Sequence, residues 1–329
     1  MARVFSGIQP SGELHVGNYL GAVRRWVELQ AQHECFFSIV DYHAITQDYD
    51  PKLLEARTLE MAAGLLAAGL DPDKCVLFVQ SHVPEHTELC WLLTTVTPLG
   101  ELERMTQFKD KAQRQESVPA GLLNYPVLQA ADVLIYRASL IPVGEDQLQH
   151  LELAREIARK WNARFGEGFF PEPQALLGTA KRILGLDGQA KMSKSLGNTI
   201  GILEEPEEIW KRLRPAMTDP ARVTKNDPGD PDKCNVFSLH QYFSPQPTVQ
   251  DVAIKCSSAA WGCLDCKRVL ADNLAAHFAP MRERAKVLRA HPERVQEILA
   301  QGAERARAEA RATLRDVRAR MGFAPASAA

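Results

Sequence analysis

Residues 4–18 read VFSGIQPSGELHVGN. The run from Val4 to Gln9 is short, apolar and rich in Val, Phe and Ile, the pattern of a buried strand. Pro10, Ser11 and Gly12 then turn the chain, and Gly17 lets a ligand approach the backbone where a helix over 17–32 begins. Unpaired N–H groups and the positive end of the helix dipole at such a point favour phosphate. His15 and Asn18, three apart, are both able to donate hydrogen bonds toward that anion.

Outward from this stretch, FFSIVDYHAI at 36–45 and VLFVQS at 76–81 also read as buried strands, with a helical pattern over 51–69 between them. Pro51 suits a first helical turn and Gly69 a stop. LIPVG at 140–144 adds a strand, followed by a helix from 145 to about 164. Strands alternating with helices predict a parallel sheet with crossover helices. After 201 the pattern changes. EEPEEIWKRLRPAM reads as a helix, NDPGDPDKC as a loop of turn residues, and the last 55 residues or so as almost continuous helix. Ala303, Ala306, Ala310, Leu314, Val317 and Met321 form one apolar stripe there, with arginines opposite. The fold class expected is α/β: a Rossmann-like parallel-sheet domain over 1–185, a loop over 186–200 and an all-helical domain over 201–329.

The 329 residues are 45% hydrophobic and 24% charged, ordinary for a soluble globular chain with two domains. No apolar run is long enough for a bilayer span and the N-terminus does not resemble a signal peptide, so a cytoplasmic protein without a membrane role is expected. Seven scattered cysteines argue against a secreted disulfide framework. Between Met281 and Arg320 there are eleven Lys and Arg against six Asp and Glu, a local +5 in a chain of net −2. A basic end on an acidic body is the asymmetry expected when one end meets a phosphate backbone. Arg305, Arg307, Arg311, Arg315, Arg318 and Arg320 could touch RNA or simply form a solvated face.

KMSKS at 191–195 places two lysines and two hydroxyls after a turn-rich segment. HVGN followed about 170 residues later by KMSKS resembles the paired signature of the class I aminoacyl-tRNA synthetases, with Asn18 where the first motif usually ends in His. FSGIQPSG, VDYHAIT, GELERMTQFK, GLLNYPVLQAADVLIY and IPVGEDQLQH resemble the bacterial tryptophanyl branch in particular, in collinear order over about residues 3–322. The resemblance implies activation of L-tryptophan with ATP and Mg²⁺, transfer to tRNA(Trp), and a homodimer. In that reaction a carboxylate attacks the α-phosphorus and pyrophosphate leaves, so positioning and charge stabilisation suffice without a protein nucleophile.

By the resemblance, His15, Lys111, Lys191 and Lys194 serve the chemistry. Gln9, Pro10, Ser11, Gly17, Asn18, Gly144, Glu145, Asp146, Ile183, Lys191, Met192, Ser193, Lys194 and Ser195 bind ATP. Asp132 accepts the indole N–H, which fits an indole that is a donor only. Tyr125 and Gln147 hold the α-amino group, while Phe5, His43, Ile141 and Val143 line the indole cavity. Gln129 stands where some relatives carry Met. His43, in an apolar strand, could instead be a core histidine.

Cys234, Cys256, Cys263 and Cys266 have the pattern C-x21-C-x6-C-x2-C. Four thiols this close in a cytosolic chain read as metal ligands. The resemblance extends to a subset of the tryptophanyl branch with a [4Fe–4S] cluster near the anticodon region, zinc being the alternative. Lys233, Lys255, Lys267 and Arg268 flank the ligands and suit a surface facing RNA. Three other readings compete: a tyrosyl-tRNA synthetase, a non-catalytic RNA-binding or partner-regulating paralogue, and a small-molecule adenylyltransferase.

Overall fold

Five parallel strands form one sheet in a computed structural model that describes residues 1–113, 117–177 and 183–324. They are β1 (Arg3–Ile8), β2 (Glu34–Ile39), β3 (Cys75–Val79), β4 (Leu140–Val143) and β5 (Gln174–Leu177), in the spatial order β3-β2-β1-β4-β5. The order reverses between β1 and β4. In doubly wound sheets ligands bind at that switch point, outside the carboxyl ends of the strands. The parallel register pairs Ile8 with Ile39 and Ile39 with Val79, so β1, β2 and β3 end level.

That common end corrects the expected length of β2. Val40 N–H makes the last bond to the neighbouring strand, at the Ile8 carbonyl (2.9 Å), and Asp41–Ala44 is a helical turn. The Asp41 carboxylate accepts from the N–H of Tyr42 (3.1 Å) and of Ser81 (3.0 Å), which ties the two strand-end turns together. His43 therefore lies beyond the strand. VLFVQS likewise stops pairing at Val79, and Gln80–His82 coil into a 3-10 turn. The first helix is also less regular than expected: α-helical at Val16–Asn18, π at Tyr19–Val23 and α-helical again at Arg24–Leu29.

Each face of the sheet carries its own apolar core. Val4, Phe37, Ile39, Leu77 and Val79 pack with Trp26, the helix Pro51–Ala67 and residues Leu270, Leu274 and Phe278. Phe5, Phe36, Val76 and Phe78 on the other face pack with the helices Glu85–Thr94, Ala120–Leu134 and Leu148–Phe165. The two terminal helices, Cys263–Ala290 and Pro292–Arg320, return to these cores. Ala303, Ala306, Ala310, Leu314 and Val317 are buried as the periodicity predicts, and Met321 is partly so. At Gly302 the helix crosses β3 so closely that a Cβ would lie 1.8 Å from the Leu77 carbonyl oxygen. Only glycine fits that crossing.

The arginine row of the last helix is largely committed within the chain. Arg305 donates to the carbonyls of Pro72 (2.8 Å) and Cys75 (3.2 Å), and Arg307 to that of His82. Arg311 pairs with Glu85 (2.8 Å) and Arg318 with Glu88 (2.5 Å). Arg305, Arg307, Arg311 and Arg318 thus clamp this helix to the sheet domain, while the Arg315 side chain is 78% exposed. No helix among the described residues is long and apolar enough to cross a membrane.

Candidate active site and four-cysteine site

The loop after β1 is held by short local bonds. Ser11 N–H donates to the Gln9 carbonyl (2.8 Å), and Gly12 takes φ +102°, a region open to glycine. His15 caps the first helical turn reciprocally with Asn18: Asn18 N–H donates to His15 Nδ1 and His15 N–H to Asn18 Oδ1, both 3.3 Å. Because Nδ1 accepts, the neutral ring carries its proton on Nε2, the end left to donate outward. Burial, with Lys194 and Lys191 adding, lowers the His15 pKa to about 4, so the ring is neutral at pH 7.

Ile183 to Gly201 folds over this loop. Leu184 and Lys191 form an isolated bridge, and Lys194–Leu196 make a 3-10 turn closed by Gly197 at φ +64°. Val16 N–H donates to the Ile200 carbonyl (2.9 Å) and Ile202 N–H to that of Leu14 (3.0 Å), so the two loops are joined by backbone bonds. Lys194 Nζ donates to the Ser11 carbonyl (3.1 Å), and Lys191 Nζ lies 3.7 Å from Asp146 Oδ2. Buried Met192 backs the arrangement. A Cβ on Gly17 would lie 3.0 Å from both the His15 ring and Met192 Cβ, so loop packing needs this glycine as well as ligand approach. Burial lowers the Lys194 pKa to about 8 although Glu13 and Glu60 pull it upward. Asn198, which sequence reading missed, organises the loop: it accepts from Ser193 N–H (2.8 Å) and donates to Asp187 (2.7 Å). Lys111 belongs to the helix Thr106–Ala112, but its side chain and that of Ser195 lie outside the described residues.

Beyond β4, Gly144 leads into the 3-10 turn Glu145–Gln147 with Glu145 and Asp146 exposed. A Cβ on Gly144 would lie 2.7 Å from Asp146 Oδ1, so a side chain there would displace that carboxylate. Gln129, Gln147 and Asp146 form a chain: Gln129 Nε2 donates to Gln147 Oε1 (3.4 Å) and Gln147 Nε2 to Asp146 Oδ2 (3.3 Å). Tyr125 OH donates to Gln107 Oε1 (3.2 Å) and lies 3.0 Å from His150 Nε2; burial pushes its pKa up to about 12.

Asp132 is 1% exposed and makes three hydrogen bonds. His43 Nε2 lies 2.8 Å from Oδ2, while Gln80 Nε2 (2.7 Å) and His86 Nδ1 (2.6 Å) both lie on Oδ1. Burial is the largest single influence and would push this carboxyl up. The bonds and charges of His43 and His86 together outweigh it and hold Asp132 well below the usual carboxylate range. A carboxylate offers about four lone-pair sites, and only Oδ2 keeps one unfilled by these donors. Phe5 and Ile141 are buried, each 4% exposed, and Val143 is partly buried in the same core. The His43 and Tyr125 rings meet edge to face at 6.3 Å. Gln80, His86 and the adjacent Tyr136 went unnoticed in the sequence, although a polar side chain directly after an all-apolar strand was a signal for Gln80.

In the helical part, Cys234 caps the helix Asn235–Phe243, Cys256 ends Gln246–Ser257, and Cys263 and Cys266 occupy the first turn of Cys263–Ala290. Burial pushes the Cys266 thiol up to about 12, and the other three thiols reinforce it, so all four sulfurs share one region. Arg222 reaches Cys256 Sγ (3.9 Å) and the Trp261 carbonyl (2.6 Å); a Cβ on Gly229 would lie 2.6 Å from Cys256 Sγ. Among the described residues, no three His, Cys, Asp or Glu side chains converge to hold a single metal ion. Lys267 departs from expectation. It is 6% exposed and donates to the Arg214 carbonyl (2.8 Å), since its stem lies in the core beneath the cysteines. Lys255 lies over Trp261 (4.1 Å) and Arg268 over Trp210 (3.6 Å).

A family profile described as tRNA synthetases class I (W and Y) matches residues 1–279. With the switch-point site and the paired loops, it places the chain in the class I aminoacyl-tRNA synthetases. The chain is 54% identical to the tryptophan–tRNA ligase of Deinococcus radiodurans, over 98% of this chain and 99% of that one. It is 46% identical to that of Parasynechococcus marenigrum, covering 99% of each. The tryptophanyl-tRNA synthetase of Campylobacter jejuni, solved with ADP and tryptophan, superposes with a TM-score of 0.88 at 38% identity, covering 98% of this chain and all of that one. The chain belongs to the bacterial tryptophanyl-tRNA synthetases, and its activity is tryptophan–tRNA ligation. This sets aside the tyrosyl, non-catalytic and small-molecule readings.

Proposed function

We propose that tryptophan activation runs at the β1/β4 switch point with the indole N–H on Asp132 Oδ2. The observation that carries this is a carboxylate 1% exposed, held ionised by three donors, with one lone pair unfilled. Phe5, His43, Gln129, Ile141 and Val143 form the walls, and Tyr125 and Gln147 hold the α-amino group. Phenylalanine offers no donor to such a site and is rejected for leaving the carboxylate unpaired.

ATP lies along Gln9, Pro10, Ser11, Gly17 and Asn18 on one side and Ile183 and Met192–Ser195 on the other. Gly144, Glu145 and Asp146 face its ribose. The tryptophan carboxylate attacks the α-phosphorus, the bond to the bridging oxygen breaks and pyrophosphate leaves. His15 Nε2–H, Lys111, Lys191 and Lys194 stabilise the charge that spreads over the phosphates. The donors around the phosphates are cationic or N–H groups, which suit phosphate oxygens and not a divalent ion. Mg²⁺ therefore arrives as part of the nucleotide substrate, held by phosphate oxygens. Replacing Asp132 by Ala is expected to raise the tryptophan KM about 5- to 150-fold with the ATP KM nearly unchanged, the scale of one buried acceptor. Pyrophosphate exchange measures both, and an unchanged tryptophan KM would make Asp132 purely structural.

The helical residues from 201 onward carry the anticodon-end contacts in this reading, and Cys234, Cys256, Cys263 and Cys266 hold a [4Fe–4S] cluster. A zinc ion needs four sulfurs about 2.3 Å from one point. A cubane is held by four thiolates, and four thiols that share one region supply that all-sulfur donor set. Bound there, it would supply structural ties and no chemistry of the reaction. A cytoplasmic homodimer completes the proposal. Trp91 is 69% exposed and Leu99 58%, large apolar groups near one another in sequence that a second copy would cover. Sedimentation at micromolar concentration is expected to give the dimer mass; a monomer would contradict it.

A further inference from the structure

Asp132 is not the end of its hydrogen-bond chain. His86 is fully buried, and its Nδ1 lies 2.6 Å from Asp132 Oδ1 while its Nε2 lies 2.7 Å from the Tyr136 hydroxyl. Tyr136 is itself fully buried, with its ring stacked against Phe36 (4.5 Å) and Phe5 (5.7 Å) and edge-on to Phe78 (5.8 Å). Phe5 thus stacks on Tyr136 as well as walling the proposed indole cavity.

The order of donors follows from the carboxylate. Asp132 as an anion only accepts, so His86 presents Nδ1–H to it; a neutral ring then accepts at Nε2, and Tyr136 OH is the donor there. Neither side chain is placed to touch substrate or nucleotide. Their effect falls on Oδ1, which His86 and Gln80 occupy as two donors with Tyr136 acting through His86, leaving Oδ2 with His43 alone.

We propose that His86 and Tyr136 are positioning residues for tryptophan recognition: Tyr136 fixes the His86 ring, and His86 saturates and orients Asp132 Oδ1 so that Oδ2 is presented to the indole N–H. The proposal rests on Asp132 as the indole acceptor. A buried carboxylate missing one of its donors would rotate or take up a proton, and either change weakens the same substrate bond.

The test compares tryptophan with its analogue carrying sulfur in place of the indole N–H, which gives Asp132 no donor. The readout is the ratio of kcat/KM for the two in pyrophosphate exchange by the full-length enzyme. His86→Leu is expected to lower the ratio about 5- to 100-fold, toward that of Asp132→Ala. Tyr136→Phe, which keeps the stacked ring, is expected to lower it less. His86→Asn, whose amide N–H stands near the lost Nδ1–H, is expected to restore most of the ratio. A purely structural role would depress both substrates equally, so an unchanged ratio in His86→Leu and Tyr136→Phe overturns the proposal while Asp132→Ala still collapses it. If His86→Leu does not fold, an unchanged ratio in Tyr136→Phe and His86→Asn decides against it. An unchanged ratio in Asp132→Ala itself overturns the reading beneath.

Discussion

Lys194→Ala is expected to slow tryptophanyl-adenylate formation by about two to three orders of magnitude, the usual cost of removing one preorganised group from developing transition-state charge. The lysine already bridges the two phosphate loops through the Ser11 carbonyl and sits half-buried beside His15. In the proposed site its charge acts where phosphate charge grows during bond breaking, so single-turnover kinetics should show the loss in the rate constant and little in tryptophan affinity. The pH profile carries a second signature. Burial brings this ammonium down to about 8, so the free enzyme loses the charge as pH rises through that value. The kcat/KM for ATP, which reports the free enzyme, should therefore fall above about pH 8, and that limb should vanish in the variant. Bound triphosphate favours the ammonium, so kcat should hold to higher pH. A wild-type single-turnover rate in Lys194→Ala would remove the lysine from the transition state.

Replacing Cys263 and Cys266 together by Ser should cut tRNA charging by about an order of magnitude or more while tryptophan-dependent pyrophosphate exchange persists. These cysteines begin the helix Cys263–Ala290, and the segment they tie down contains the turns at Arg222, Gly229 and Pro231. A cluster bound there, as proposed, would offset the ordering entropy of that stretch. The proposed adenylating groups, His15, Lys111, Lys191 and Lys194, all precede the four cysteines in the chain and come from other elements. Anaerobically purified protein should be brown, with iron and sulfide near about four per chain. Colourless protein with stoichiometric zinc would replace the cluster, and loss of exchange in a folded double variant would end the separation of roles. The separation has one structural stress point: Cys263–Ala290 continues directly into the sheet core through Leu274 and Phe278.

A parallel sheet with crossover helices and two candidate phosphate loops were legible because each rests on local pattern: apolar runs, turn residues, a glycine at a helix start and lysines three apart. The order of the strands and the short edge strand Gln174–Leu177 were not read, because both depend on pairing. β2 was read too long because FFSIVDYHAI is apolar past the point where its neighbours stop, and pairing, not hydrophobicity, ends a strand. The stripe from Ala303 to Val317 was legible as a face, but nothing in its spacing said that it would lie on the sheet, because that partner is distant in sequence. The arginines opposite looked available for RNA for the same reason; Glu85, Glu88 and three carbonyls claim them only in three dimensions. Asp132 was singled out by the family resemblance, with its apolar neighbours in support, whereas its donors His43, Gln80 and His86 come from three other stretches of the chain. Lys267 shows the converse, a charge that flanks the cysteines in sequence yet points its amine into a carbonyl.

The account stands most directly on amino-acid-dependent exchange of pyrophosphate into ATP, measured with tryptophan, tyrosine and phenylalanine in turn. Exchange supported by tryptophan, with tyrosine and phenylalanine near background, is what a buried anionic acceptor shaped for indole predicts. Equal exchange with tyrosine, or none with tryptophan, would contradict it.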